Sequence, residues 1–191
     1  MDGKEFVAAF KNRDPSAIQE LVDRHAQRLL RSAYLLCGNP TEAEDLVQST
    51  LVEAIRTASR FRGDSNLYTW LHGILLNLTR RYHRERKRLV YGDQPESARD
   101  VVDEPVLAAA DVEVLRSKLA AAIQELSFGH REALVLRYYE GMKIGEIANQ
   151  LGVSEGTVKS RLHYAVAELR RKLPVDLNLF RVRGTEEAER R

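Results

Sequence analysis

Apolar residues recur along most of this chain at the spacing of an amphipathic helix, and the strict alternation of a strand is scarce. Ile18, Leu21, Val22, His25, Leu29, Ala33 and Leu36 mark one helical face. Asp14 as N-cap and Pro15 at the first helical position open that helix, and Gly38-Asn39-Pro40 stops it. Thr41-Glu42-Ala43-Glu44 reads as a capping box for a second helix, whose inward positions are Ala43, Leu46, Val47, Leu51, Ala54, Ile55 and Ala58. The run from Phe61 to Asn66 breaks the pattern. A third helix follows from about Leu67, with Trp70, Leu71, Ile74, Leu75 and Leu78 inward and a basic run at its end. Residues 90 to about 110 hold Gly92, Pro95 and Pro105 with little periodicity and read as a linker. The helical pattern resumes at Val112, Leu115, Leu119, Ile123 and Leu126, then at Ala133, Leu134 and Leu136 before Gly141. The expected fold is all-α: two small helical domains joined by a flexible linker. After Pro174 the tail has a small apolar patch and a polar end.

The second domain closes on Ile144 to Tyr164, two short helices joined by a tight turn. Ala148 is small enough for two helices to cross there, Gly152 permits the positive φ of a helix C-terminus, and Ser154 can cap the second helix. Val153 adds apolar packing at the turn, and Val158, Leu162, Ala165 and Leu169 form one apolar face of the second helix. Lys159, Ser160, Arg161, His163 and Tyr164 occupy the other. This is the layout of a helix-turn-helix, which lays its second helix in the DNA major groove. An amphipathic helical hairpin would share the periodicity, but not the joint placement of Ala148, Gly152, Ser154 and Val158.

Charge sharpens this picture. The formal net charge is only +2, yet Arg60 to Arg88 holds eight basic residues against two acidic, a net of +6. Tyr91 to Val114 holds seven acids against Arg99, a net of −6. Such blocks separate a surface that faces a polyanion from a segment that avoids one. The single cysteine, Cys37, excludes an internal disulfide framework and suits a reducing cytoplasm. It lies in the apolar run Tyr34-Leu35-Leu36-Cys37, as a small buried thiol would. There is no leader-like apolar region at the N-terminus and no membrane-length stretch, so a cytoplasmic protein without membrane insertion is expected. His25, His72, His83, His130 and His163 show no metal-ligand spacing. No catalytic, metal or cofactor site is expected, and an enzyme is disfavoured.

Two features of the first domain exceed the needs of a core. The second helix opens with Glu42, Glu44 and Asp45, followed by Gln48 and Ser49, and its first basic residue is Arg56. Such a face suits a basic partner, although carboxylates at a helix N-terminus are also stabilising in themselves. The segment Phe61 to Leu71, F-R-G-D-S-N-L-Y-T-W-L, sets aromatics beside polar loop residues and upstream of Asn77, Arg80 and Arg81. Aromatic faces stack unpaired bases while arginines track phosphates. Trp70 and Tyr68 fit a core role equally well.

Taken with the helix-turn-helix, E-A-E-D-L-V-Q-S-T (Glu42 to Thr50), the Phe61–Leu71 segment and the stretch from Gly141 to His163 resemble the extracytoplasmic-function (ECF) group of bacterial RNA polymerase sigma factors, within the sigma-70 superfamily. The resemblance covers roughly residues 5 to 173. It implies a region 2 domain over 1–90 for core docking and −10 recognition, an acidic linker over 91–111, a region 4 domain over 112–174 for −35 recognition, and a C-terminal tail over 175–191. By the same resemblance, Asp45, Leu46, Gln48 and Leu51 match the surface that docks on the clamp helices of the polymerase beta-prime subunit. Phe61, Arg62, Asp64, Ser65 and Asn66 match the loop that captures a flipped base of the melted non-template strand, and Asn77, Arg80 and Arg81 match the helix beside that −10 strand. Lys159, Ser160, Arg161 and His163, with Thr157, match the −35 recognition helix on duplex DNA, with Arg161 expected to read a base directly. The beta-subunit flap tip and an anti-sigma factor are further implied partners. The chain departs from the pattern at Ser49-Thr50-Leu51, at Leu126-Ser127-Phe128-Gly129, and at Tyr164 and Val166, where many members carry arginines. The alternative is a stand-alone helix-turn-helix regulator, which leaves the Glu42–Gln48 face and the Phe61–Trp70 segment without a role.

Overall fold

Every regular element among the described residues is helical. The computed structural model describes residues 3–61, 63, 66–91 and 112–173. The expected linker beyond Tyr91, the loop residues Arg62, Asp64 and Ser65, and the tail over 175–191 lie outside the described residues. The chain divides into two compact units, residues 1–96 and 97–191.

The first unit holds α1 (Gly3–Lys11), α2 (Pro15–Cys37), α3 (Pro40–Arg56), a 3-10 turn (Ala58–Arg60) and α4 (Leu67–Tyr91). The Asp14 carboxylate accepts from the Ser16 and Ala17 amides, with Pro15 in the first turn as expected. Gly38 ends α2 in the left-handed region at φ 78°, its N–H returning to the Tyr34 carbonyl. The start of α3 differs from the expected capping box at Thr41. Asn39 is the N-cap, its side chain accepting from Glu42 N at 3.0 Å, because Pro40 has no N–H to satisfy and pre-sets the first helical φ. The helix α1 was not expected from the sequence pattern. It packs on α2 through buried Phe6 and Phe10, stacked with ring centroids 6.3 Å apart.

α2, α3 and α4 pack pairwise around Leu21, Leu29, Ala33, Ala43, Val47, Ala54, Leu71 and Leu75. Each fully buried Leu contributes about 1.5–3 kcal/mol of transfer free energy. One polar pair crosses this core: Ser32 Oγ on α2 lies 2.7 Å from His72 Nε2 on α4, both residues at most 1% exposed. Burial first, and then the Arg28 charge, lowers the His72 pKa to about 4, so the ring is neutral at neutral pH.

The second unit holds α5 (Val112–Gln124), α6 (Phe128–Leu134), a π-helical turn (Val135–Tyr139), α7 (Ile144–Leu151) and α8 (Glu155–Lys172). Ser127 caps α6 by accepting from the His130 amide. Arg131, 7% exposed, donates Nε to Ile123 O at 3.1 Å and its Nη2 to Leu126 O at 3.2 Å and to Gln124 O. The guanidinium thereby adds a donor to three carbonyls at and just beyond the end of α5. α8 packs on α5, α6 and α7.

Candidate nucleic-acid interface

The helix-turn-helix forms as its residues dictate. Glu146 accepts from the Lys143 amide at 2.7 Å at the start of α7. Gly152 ends α7 at φ 67°, with its N–H bonded to the Ala148 carbonyl. Ser154 Oγ then accepts from Thr157 N at 3.1 Å to begin α8. Ala148 is 6% exposed, and Val158, Leu162, Ala165 and Leu169 are all buried, so the apolar face predicted for α8 is its core face.

Of the residues expected to meet duplex DNA, Lys159, Ser160 and His163 are exposed. Thr157 is half-buried and its hydroxyl lies 2.9 Å from Ser154 Oγ, within the cap. Arg161 is half-buried and turned toward α6: a Cβ built on Gly129 would sit 3.4 Å from its Cζ. The expected base reader thus lies along the flank of the helix, because glycine leaves room there for a guanidinium. Tyr164, by contrast, is 61% exposed.

On α3 the expected docking residues separate by depth. Asp45 and Gln48 are exposed and Leu51 is half-buried, but Leu46 is 8% exposed and belongs to the core. Asp45 is turned to solvent, whereas the Leu46 side chain is turned into the core. The outward side carries Glu44, Asp45, Gln48, Ser49 and Val52, and Val52 is 64% exposed. Sequence reasoning missed Val52; its spacing of seven residues from Asp45 and four from Gln48 was the available signal.

The loop before α4 also corrects an expectation. Phe61 is 3% exposed, its ring 5.2 Å from that of Trp70, which meets Phe10 edge-on at 6.2 Å. Phe61 therefore serves as packing against Trp70 and offers no free face to a base. Tyr68 is likewise buried, with the Arg28 guanidinium 4.1 Å from its ring centroid. Asn66 is exposed, and its Oδ1 accepts from Tyr68 N at 2.9 Å at the start of α4. Further along α4, Asn77 and Arg81 are exposed, Arg80 is half-buried, and Arg81 donates to Glu85 at 2.7 Å. Residues 77, 80, 81 and 84 fall on one side of the helix, a polar, basic stripe opposite the core.

Both units have recognisable counterparts. Residues 21–89 match the family described as Sigma-70 region 2, and residues 116–169 match Sigma-70, region 4. The chain is 37% identical over 162 residues to the ECF RNA polymerase sigma factor SigL of Mycobacterium tuberculosis, covering 82% of this chain and 89% of that protein. It is 34% identical over 170 residues to SigM of the same species, covering 88% and 83%. Among solved structures, it is similar to the sigma factor RpoE of Bartonella quintana in complex with the anti-sigma factor NepR, with a TM-score of 0.67 and 32% identity over 83% of this chain and 96% of that one. It is also similar to CnrH in complex with the cytosolic domain of CnrY, with a TM-score of 0.62 and 29% identity over 86% and 92%. No helix among the described residues is long and apolar enough to cross a membrane.

Proposed function

We propose a division of labour between the two units, from the premise that the chain belongs to the ECF RNA polymerase sigma factors. Members of this family are transcription initiation factors, and this chain directs promoter-specific initiation by RNA polymerase as one of them. One observation carries the assignment of residues to roles: an outward acidic and amide-bearing face on α3 occurs in the same chain as an exposed recognition face on α8.

The first unit docks core polymerase at the beta-prime clamp helices through Asp45, Gln48 and the edge of Leu51, with Leu46 acting from behind as packing. Val52 supplies the apolar contact on that face. The −10 base is captured by Arg62, Asp64, Ser65 and Asn66, while Phe61 packs on Trp70 of α4. Contacts to a base taken out of the stack must offset the few kcal/mol of unstacking. Asn77, Arg80 and Arg81 then run beside the melted non-template strand as donors to phosphate and base edges. The second unit reads the −35 duplex with Lys159, Ser160 and His163 in the first half of α8, flanked by Arg161 beside Gly129 and by Thr157 within the cap. It also meets the beta flap tip. The protein works in the cytoplasm, and, as RpoE is bound to NepR and CnrH to the cytosolic domain of CnrY, an anti-sigma factor holds this chain in check.

Run-off transcription with core polymerase plus this chain on a promoter library tests the assignment. Transcripts that depend on both a −10 and a −35 element are expected. A chain that binds −35 duplexes but neither assembles with core nor yields any transcript would instead be a stand-alone regulator.

A further inference from the structure

Tyr164 is one of the large apolar side chains left exposed among the described residues, and neither core docking nor the fold requires it there. It stands on α8 one turn beyond Ser160, away from the core positions Leu162 and Ala165. Its ring is held from two sides. The His130 ring on α6 stacks on it, with centroids 6.2 Å apart and planes 19° from parallel, and the His163 ring meets it edge-on at 5.5 Å and 78°. A tyrosine has two side-chain torsions to order, and here neighbouring rings already restrain them. Arg161, three residues earlier, has its guanidinium against Gly129 on the same α6, so the cation is drawn back from the outward face.

We infer that Tyr164, braced by His130, is a specificity-determining residue of this recognition helix and selects an A·T base pair by packing on the thymine methyl group. In the major groove, guanine offers two acceptors that call for a paired donor such as arginine. Thymine offers one acceptor and a methyl group, which an uncharged ring can cover. A ring fixed by two neighbours presents that apolar surface without further ordering. His130 is a positioning residue: it lies on a different helix and acts through the orientation of Tyr164. The inference rests on the proposed −35 role of α8.

The test uses holoenzyme assembled from core polymerase and the full chain. Selection from a randomised −35 library first defines the preferred element, and each thymine in it is then replaced singly by deoxyuridine, which removes only the methyl. At one position the replacement should weaken wild-type promoter binding about fourfold, the factor for burying one methyl-sized group. Tyr164→Ala should bind the thymine and deoxyuridine promoters equally. His130→Ala should keep a reduced sensitivity, roughly twofold on the same scale. The wild-type measurement needs no variant to fold. A wild-type −35 preference that is insensitive to every deoxyuridine replacement overturns the inference alone, as does sensitivity that survives in Tyr164→Ala. A wild-type holoenzyme with no −35 preference at all overturns the −35 role of α8 together with it.

Discussion

Lowering the pH should loosen the first unit through one histidine, and the size of the effect follows from His72. Its pKa is 6.5 in an unfolded chain and about 4 in the fold, where burial and the Arg28 charge oppose protonation. Between those values the unfolded state takes up a proton that the folded state refuses. Stability is therefore complete above pH 6.5 and falls as the pH drops toward 4, by about 1.4 kcal/mol per unit. From pH 7 to pH 5 the loss from this group alone is about 2 kcal/mol. That is a large share of the roughly 5–15 kcal/mol typical of a domain. The chain's one tryptophan, Trp70, sits on α4 against Phe10 and Phe61, so its fluorescence in a urea titration reports on the first unit. His72→Gln should lower stability at pH 7, since the contact with Ser32 is disturbed, and should flatten the pH dependence by about 2 kcal/mol relative to wild type. His25, whose pKa is also lowered by burial and by Arg24 and Arg28, is common to both proteins and cancels in the comparison. Equal losses between pH 7 and pH 5 in wild type and His72→Gln would refute the reasoning.

The remaining predictions separate surface from packing. Asp45→Lys and Val52→Glu should each abolish assembly with core polymerase while leaving the urea midpoint near wild type and −35 duplex binding intact; normal assembly in a gel-filtration assay would remove α3 as the docking face. Leu46→Ala should instead cost about 2–5 kcal/mol of stability in the Trp70 titration, as truncation of a buried leucine does, and a fully stable variant that fails only in docking would contradict its place in the core. Arg131→Leu should cost the second unit about 1–3 kcal/mol, because the Gln124 and Leu126 carbonyls lose the guanidinium donor. Thermal unfolding followed by circular dichroism checks this, and an unchanged melting transition would show that water replaces the guanidinium freely.

Local chemistry made the helix ends and the helix-turn-helix legible in the sequence. Asp14-Pro15, Gly38, Gly152 and Ser154 each act within a few residues of themselves, and the structure keeps all four in their expected roles. Asn39, legible only as part of the stop after α2, caps α3 in place of Thr41 because Pro40 takes the first helical position. Depth was harder to read. Periodicity tells which residues share a side of a helix but not how a neighbouring segment covers them, so Phe61 and Leu46 looked available and are packed. Long-range partners left no local trace at all. The Ser32–His72 pair joins positions forty residues apart, and Arg131 reaches back over α5. Val52 was the exception, an outward residue whose spacing from Asp45 could have placed it.

The split of α8 into a buried face and an open one has a consequence for how such proteins diverge. Val158, Leu162, Ala165 and Leu169 hold the helix in the fold, while Lys159 and Ser160 take no part in that packing. After a gene duplication, the reading positions can drift to a new promoter sequence without weakening the domain, so two copies can stop competing for the same sites through a handful of surface changes. Tyr164 and Arg161 are tied to α6 through His130 and Gly129, and at those positions drift requires a matching change on the second helix.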